Sequence, residues 1–239
     1  MGFVDLHAHV LPALDDGVKD VAESVAVVGL LAKLGFEVVC CTPHQKVGSW
    51  VPSAEAISKA HADATAALRA AGVTVELRLG AENFWDELFL QRALDGGVPS
   101  YTGERAFLVE VAPVATPPAL EEQLFRWRAR GTLPVLAHPE RYHALCRQPD
   151  KLAAVGRTAA LVVDLGALAG AHGPVAEQAA QRIVGDGLAH ACASDVHDLD
   201  DAHAAGNGIA WIRKRLGERA VRRLLDENPR RILQGDLPD

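Results

Sequence analysis

The stretch that decides the fold is Phe3-Val4-Asp5-Leu6-His7-Ala8-His9, with the helical pattern that follows it. Residues 3–7 read as a short apolar strand. Asp20 then stands as a helix N-cap with Glu23 three residues on, a capping box. Val21, Val25, Val28 and Leu31 recur at helical spacing, and Gly35 sits where a left-handed C′ residue belongs. Residues 38–41 form the next apolar run. The alternation continues outward from there. Ser53 caps a second helix with Ile57, Ala60, Ala64 and Leu68 on one face and Gly72 past its end. Residues 73–79 and 106–111 read as strands. Pro117 or Pro118 suits a first helical position, opening a helix through Leu120, Leu124 and Trp127 to Gly131. Residues 134–137, 160–164 and 189–193 are further short buried runs. The spacing therefore predicts an α/β chain of roughly seven βα units, where a closed barrel ordinarily has about eight. The strands are near-continuous apolar runs, as parallel strands covered on both faces should be. A doubly wound open sheet is the competing architecture. No Ser/Gly-rich linker interrupts the pattern, so residues 1–239 are read as a single domain.

Composition excludes several function classes. The chain has 24 basic against 31 acidic residues, a net charge of -7, which argues against a nucleic-acid-binding surface. The N-terminus shows no signal-peptide pattern, and no apolar run is long enough for membrane insertion. Cys40, Cys41, Cys146 and Cys192 form no CxxC pair, which fits a cytoplasmic protein with reduced thiols. A cysteine-based phosphatase needs an arginine six residues after its cysteine. Those positions hold Lys46, Val47, Leu152 and Asp198. The sequence also lacks GxxxxGK[ST], GxSxG and HExxH.

Metal-ligand residue types fall at the strand ends instead. His7 and His9, two apart on a strand, point to one face. Asp16 follows in Asp15-Asp16-Gly17. His44 follows the second strand, Glu82 ends the third, Glu110 the fourth and His138 the fifth. Asp195 and His197 end the seventh. In parallel barrels, functional residues gather at the C-terminal ends of the strands. A mouth of carboxylates and imidazoles is stable only if its charges are paired or bound to metal. The N and O donor mixture suits Mn, Fe or Zn over Mg or Ca, and the ligand number implies two or three divalent ions. Such a site can activate water and clamp a phosphoryl group. His61 and His203 read as solvated, and His143, His172 and His190 as structural. Asp164 ends the sixth strand and is not counted as a ligand. Phe84 and Trp85, just after Glu82, are candidates for an aromatic pocket rim.

The opening Asp5-Leu6-His7-Ala8-His9, with Leu14-Asp15-Asp16-Gly17, Thr42-Pro43-His44, Gly80-Ala81-Glu82, Ala137-His138-Pro139-Glu140-Arg141-Tyr142 and Ser194-Asp195-Val196-His197, resembles the PHP superfamily. It is most similar to the superfamily's metal-dependent bacterial protein-tyrosine phosphatases associated with capsule and exopolysaccharide genes. The resemblance implies a distorted (β/α)7 TIM-like barrel with three metals. It implies His7, His9, Glu82 and Asp195 around the first ion, and Glu82, Glu110 and His138 around the second. Asp16, His44 and His197 would surround the third, manganese being the leading metal. Arg141 would bind the substrate phosphate. The implied substrate is a phosphotyrosine protein, a bacterial tyrosine autokinase controlling exopolysaccharide synthesis. Two positions depart from the family pattern. Gln45 replaces a second histidine after His44, and Asp198-Leu199-Asp200-Asp201-Ala202 is acidic where an arginine is usual. The rival readings are a phosphoesterase for a small substrate such as histidinol phosphate, a nuclease of the same superfamily, and an inactive metal-bound interaction module.

Overall fold

The computed structural model describes residues 2–238. Its strands are β1 (Phe3–Ala8), β2 (Phe36–Cys41), β3 (His44–Gln45), β4 (Glu76–Leu79), β5 (Glu82–Phe84), β6 (Ala106–Glu110), β7 (Leu133–Ala137), β8 (Ala160–Asp164) and β9 (Ala191–Ala193). Every pairing between them is parallel. They form two ladders, β1-β2-β4 and β3-β5-β6-β7-β8-β9. The ladders are parts of one ring. Thr42-Pro43 carries β2 into β3, and Gly80-Ala81 carries β4 into β5, so nine segments make seven strand passages. Backbone bonds bridge the breaks: Gly80 N donates to Cys41 O at 2.8 Å and Glu82 N to Pro43 O at 3.2 Å. The ring closes where Asp195 N donates to His7 O and His9 N to Val196 O, both at 2.9 Å. That seam excludes the open sheet. It leaves a seven-passage barrel, narrower than the usual eight-stranded one.

The narrow bore explains the residues that fill it. Alternate strand positions point inward: Val4 and Leu6, Val38 and Cys40, Ala106 and Leu108, Val135 and Ala137, Ala160 and Val162, Ala191 and Ala193. Many are alanine or valine, and Ile232 and Leu233 pack against them. The other strand face, with Val39, Phe107, Val109, Leu136, Leu161 and Val163, meets the surrounding helices. Glu110 and Asp164 continue the inward rows past the apolar part, which delivers both carboxyls to the mouth.

The helix signals hold with adjustments. Asp20 accepts a bond from Glu23 N at 2.9 Å, and Gly35 closes the helix Val21–Leu34 in the left-handed region. Glu23 accepts from Lys19 N, so the box closes one residue early. Ser53 caps Ala54–Ala70. The third strand expected over 73–79 is shorter, and Glu82 opens a new segment beyond the Gly80-Ala81 step. Pro117 and Pro118 precede their helix, which begins at Leu120 after a left-handed Ala119. A proline disfavours helical backbone in the residue before it, so consecutive prolines delay the start. The helix Glu87–Asp95, capped by Asp86 and stopped by Gly96, was not anticipated, because it lacks a long apolar stripe. No helix among the described residues is long and apolar enough to cross a membrane.

Two glycines in helices have opposite meanings. A Cβ on Gly208 would lie 2.0 Å from Leu165 O, because the helix Leu199–Leu216 presses its backbone on the turn after β8. A Cβ on Gly185 would meet nothing within 4 Å. Gly208→Ala should destabilise by about 1–3 kcal/mol despite alanine's better helix propensity. Gly185→Ala should stabilise by up to about 1 kcal/mol. Denaturant melts of both variants check this. His190 supplies a pH-dependent term. Its Nδ1 accepts the Leu161 N–H at 3.0 Å, and burial, with Arg128 and Arg223 nearby, pushes the imidazole down to about 4. The unfolded chain, with an ordinary histidine value near 6.5, binds the extra proton first. Stability from this group is therefore complete above about 6.5 and is lost as pH falls toward 4, by roughly 3 kcal/mol at the limit. Melting temperature between pH 7.5 and 5 should fall less steeply in His190→Gln than in the unsubstituted protein.

Candidate metal centre

The mouth of the barrel gathers nine metal-ligand side chains from six of the seven passages and the loop after β1. His7 is aimed by Thr42, whose Oγ1 lies 2.6 Å from His7 Nδ1. This leaves Nε2 facing Asp195 Oδ1 at 2.9 Å and Glu82 Oε1 at 3.3 Å. His9 is aimed by Asp15, whose Oδ2 lies 2.8 Å from His9 Nδ1 and also accepts His44 N. Its Nε2 stands 3.5 Å from both Glu82 and Asp195. Fixing one ring nitrogen so that the other faces a shared centre is how metal-binding histidines are usually oriented. The Asp15-Asp16-Gly17 loop now has a physical account. Asp15 holds His9, and Asp16 reaches within 3.3 Å of His44 and 3.7 Å of His197. Gly17 lies so close to His9 that a Cβ would sit 2.2 Å from the His9 carbonyl.

Glu82 is the hub. His44 Nδ1 lies 2.8 Å from it and His138 Nε2 2.9 Å, in addition to His7 and His9. The register pairs His44 directly with Glu82 across β3 and β5, and Phe84 with Glu110 across β5 and β6. The stacked rings of His9 and His197, 4.2 Å apart, bring the last strand end to the first. His138 and Asp195 both adopt left-handed backbone, φ 31 and 48. Such strain costs on the order of 1–3 kcal/mol per residue and persists where surrounding structure enforces it.

The contacts leave a distinctive residue of unmet demand. His7 Nε2, His9 Nε2, His44 Nδ1, His138 Nδ1, Glu82 Oε2 and Glu110 Oε2 are buried without a properly directed hydrogen bond among the described residues. Several lie close to opposite charge, yet they converge on common points rather than aligning in donor–acceptor pairs. Four groups have ligand atoms within 4.8 Å of one another: His9, Asp16, His44 and His197; His7, His9 and Asp195; His7, Glu82 and His138; His44, Glu82 and Glu110. Together they contain all nine residues that the sequence proposes, and each could hold a divalent cation. The charges need such partners. Burial pushes Glu110 up, and the neighbouring Glu82 adds to this. Burial pushes Glu82 the same way, but the adjoining His7, His138 and His44 overcome it and hold its carboxyl well below the usual range. His7 is pushed up to about 10, with Asp195 and Glu82 outweighing its burial.

Arg141 lies beside this cage on the turn Pro139–Arg141. Its Nη2 donates to Asp164 Oδ2 at 2.8 Å and to Asp195 Oδ2 at 2.7 Å. A surface pair with Glu140 is excluded. Glu140 is buried and accepts the Asp164 N–H instead. His172, expected to be structural, stands at this same mouth, 2.6 Å from Asp164 Oδ2. Nothing local in the sequence marks it, because the loop that carries it follows β8 at a distance. Trp85 is partly buried and packs with Phe89 and Trp127 against the core. Phe84 shares the face of Glu82, under Lys46 Nζ at 4.2 Å. Trp50, stacked on His44 at 5.2 Å, was not anticipated. Gln45 is buried and accepts from Arg92 at 2.9 Å, and Ala202 is in the core. In the acidic stretch before Ala202, Asp201 accepts the His197 N–H at 2.9 Å, which sets a carboxylate beside the mouth. Cys40, Cys41 and Cys192 are buried with thiols pushed up by desolvation, and Cys146 is pushed up to about 11. These are poor nucleophiles.

Comparison with known proteins agrees with this geometry. The profile of the family described as "Capsular polysaccharide synthesis, CpsB/CapC" matches residues 3–234. The tyrosine-protein phosphatase YwqE of Bacillus subtilis is 30% identical over 199 residues, 82% of this chain and 78% of that protein. The tyrosine-protein phosphatase CpsB of Streptococcus pneumoniae is 23% identical over 241 residues, 98% of this chain and 99% of its own. A chain from the crystal structures of YwqE and CpsB, described as unique metal-dependent tyrosine phosphatases, superposes with a TM-score of 0.87 at 26% identity, covering 98% of this chain and 95% of that one. The lactonase Lmo2620 of Listeria monocytogenes shares the fold at a TM-score of 0.52 and 15% identity, with 100% and 95% coverage. With its strand order, its mouth and a profile match over nearly its whole length in accord, the chain belongs to the CpsB/CapC family.

Proposed function

We propose that this protein is a metal-dependent protein-tyrosine phosphatase acting on a phosphorylated tyrosine autokinase of exopolysaccharide synthesis. The observation that carries the reading is the nine-ligand cage with its unmatched buried donor atoms, set directly beside Arg141. His7, His9, Glu82 and Asp195 are assigned to one ion and Glu82, Glu110 and His138 to a second. Asp16, His44 and His197 are assigned to a third. Glu82 would be shared by the first two. The donor mixture favours manganese, with iron or zinc as the other candidates. When bound, the cations supply Lewis acidity and water activated for attack at neutral pH. The four free cysteines, three of them buried, support a reducing cytoplasmic setting.

The chain's own residues do the rest. Thr42 and Asp15 fix the rings of His7 and His9. Asp164 and Asp195 grip a single guanidinium nitrogen of Arg141, Nη2, which leaves Nη1 and the buried Nε without a protein partner. A planar, pre-aimed fork of donors suits the charge spread over those oxygens in the transition state. Phe84, on the same strand face as Glu82, offers an apolar surface to a substrate ring.

Chelation should abolish turnover of a phosphotyrosyl peptide, and Mn should restore it, with phosphoserine peptide turned over far more slowly. Full activity in chelated protein shown to be metal-free would refute the reading. Arg141→Ala should lower kcat/KM by about 10²–10³-fold with metal content retained, the loss expected when an oriented transition-state donor is removed. Arg141→Lys should rescue poorly, because an ammonium cannot make the bidentate contact. Parallel activity and metal analyses of the three proteins check both statements.

A further inference from the structure

The mouth holds a second cationic group whose role the phosphatase reading does not use. Asp164 is buried at the end of β8, and its Oδ2 is shared between Arg141 Nη2 at 2.8 Å and His172 Nε2 at 2.6 Å. The same Arg141 nitrogen touches His172 Nε2 at 3.0 Å and Asp195 Oδ2 at 2.7 Å. One guanidinium nitrogen therefore separates His172 from a residue of the proposed cage. The shorter of the two His172 contacts gives the Nε2 hydrogen to Asp164. Nδ1 makes no hydrogen bond among the described residues, and the side chain is 34% exposed. The ring thus has one nitrogen anchored on a buried carboxylate and the other without a protein partner, on a partly exposed side chain at the mouth.

The backbone builds this placement deliberately. Gly170 and Gly173, both in the left-handed region, let the loop turn twice around His172. His172 precedes the helix Gly173–Gly185 yet makes no capping bond with it. Its polar atoms are committed to the mouth instead. The bond to Asp164 favours a charged ring, as do the charges of Asp164 and Asp195, while partial burial and Arg141 oppose it. The bond to Asp164 prevails, and the imidazole is held above its ordinary value.

We propose that His172 is a catalytic residue of the phosphatase site, donating the proton that the departing tyrosine oxygen takes up. This rests on the proposed phosphatase function. In the reaction, water oxygen bonds to phosphorus as the bond from phosphorus to the tyrosine oxygen breaks. The electron pair of that bond goes to the tyrosine oxygen, which receives the His172 Nδ1 proton. The proton lost by the attacking water goes to solvent, and His172 regains one from solvent before the next turnover. The sum is phosphomonoester plus water to phenol plus hydrogen phosphate. Asp164 is the positioning residue: it orients the ring and stabilises its charged form.

A proton donor matters in proportion to the basicity of the leaving group, and a structural or phosphate-binding residue does not. The test is His172→Gln and His172→Ala against the unsubstituted manganese-loaded protein on phosphotyrosyl peptide and p-nitrophenyl phosphate, with metal content and melting temperature recorded. The tyrosine phenol, with a pKa of about 10, needs the proton, whereas nitrophenol is acidic enough to leave without it. Both variants should lose about 10²-fold in kcat on the peptide and less than about 3-fold on nitrophenyl phosphate, the size expected of a lost general acid. Equal losses on the two substrates, or none on either, would overturn the assignment while leaving the phosphatase reading intact. Failure of the unsubstituted protein on both substrates would overturn the two together.

Discussion

Everything at the mouth depends on the Glu82 carboxylate, buried within 3.5 Å of nitrogen atoms from His7, His9, His44 and His138. A charge taken so far from water is tolerated only among compensating charges. Four rings from three strand ends, two of them from the first, provide them, and each ring must be held for the arrangement to survive. The rest of the mouth follows from that demand. Thr42 and Asp15 fix two of the rings, and the two backbone steps at Thr42-Pro43 and Gly80-Ala81 shift His44 and Glu82 into direct register. The strained backbone of His138 and Asp195 turns the final ligands inward.

The fold was legible because parallel strands covered on both faces leave a plain trace, namely short apolar runs separated by capped helices. Asp20, Gly35 and Ser53 marked their helix ends through backbone chemistry that acts locally. The ligand residue types were legible for a related reason, since a strand end is a position that sequence can locate. The breaks in the second and third passages were not. A passage that changes ladder halfway has the same apolar composition as one that continues, and only the partner strands reveal the step. Pro117 and Pro118 were misplaced because two prolines in series postpone the helix they introduce.

The residues of the mouth that sequence missed share one property: their role comes from partners distant along the chain. His172 acquires its setting from Asp164 and Arg141, and Trp50 from His44. Asp15 was visible in its motif, but its work on His9 Nδ1 appears only when the loop folds back over Gly17. Conversely, Trp85 adjoins the site in sequence but packs against the core through Phe89 and Trp127.

The seam of the barrel carries a consequence for how the molecule assembles. The bonds that close the ring, Asp195 to His7 and His9 to Val196, join segments almost at opposite ends of the chain. They also involve four residues in and beside the metal centre. Contacts between such distant segments carry the largest loop-closure entropy and lie on the slow side of folding. Ring closure and completion of the cage are thus one event. A nascent chain lacking its last quarter has the first-strand histidines but neither Asp195 nor His197 to complete the cage around them. A cation held across the seam would act as a rivet: by mass action it would favour the closed ring over any opened form.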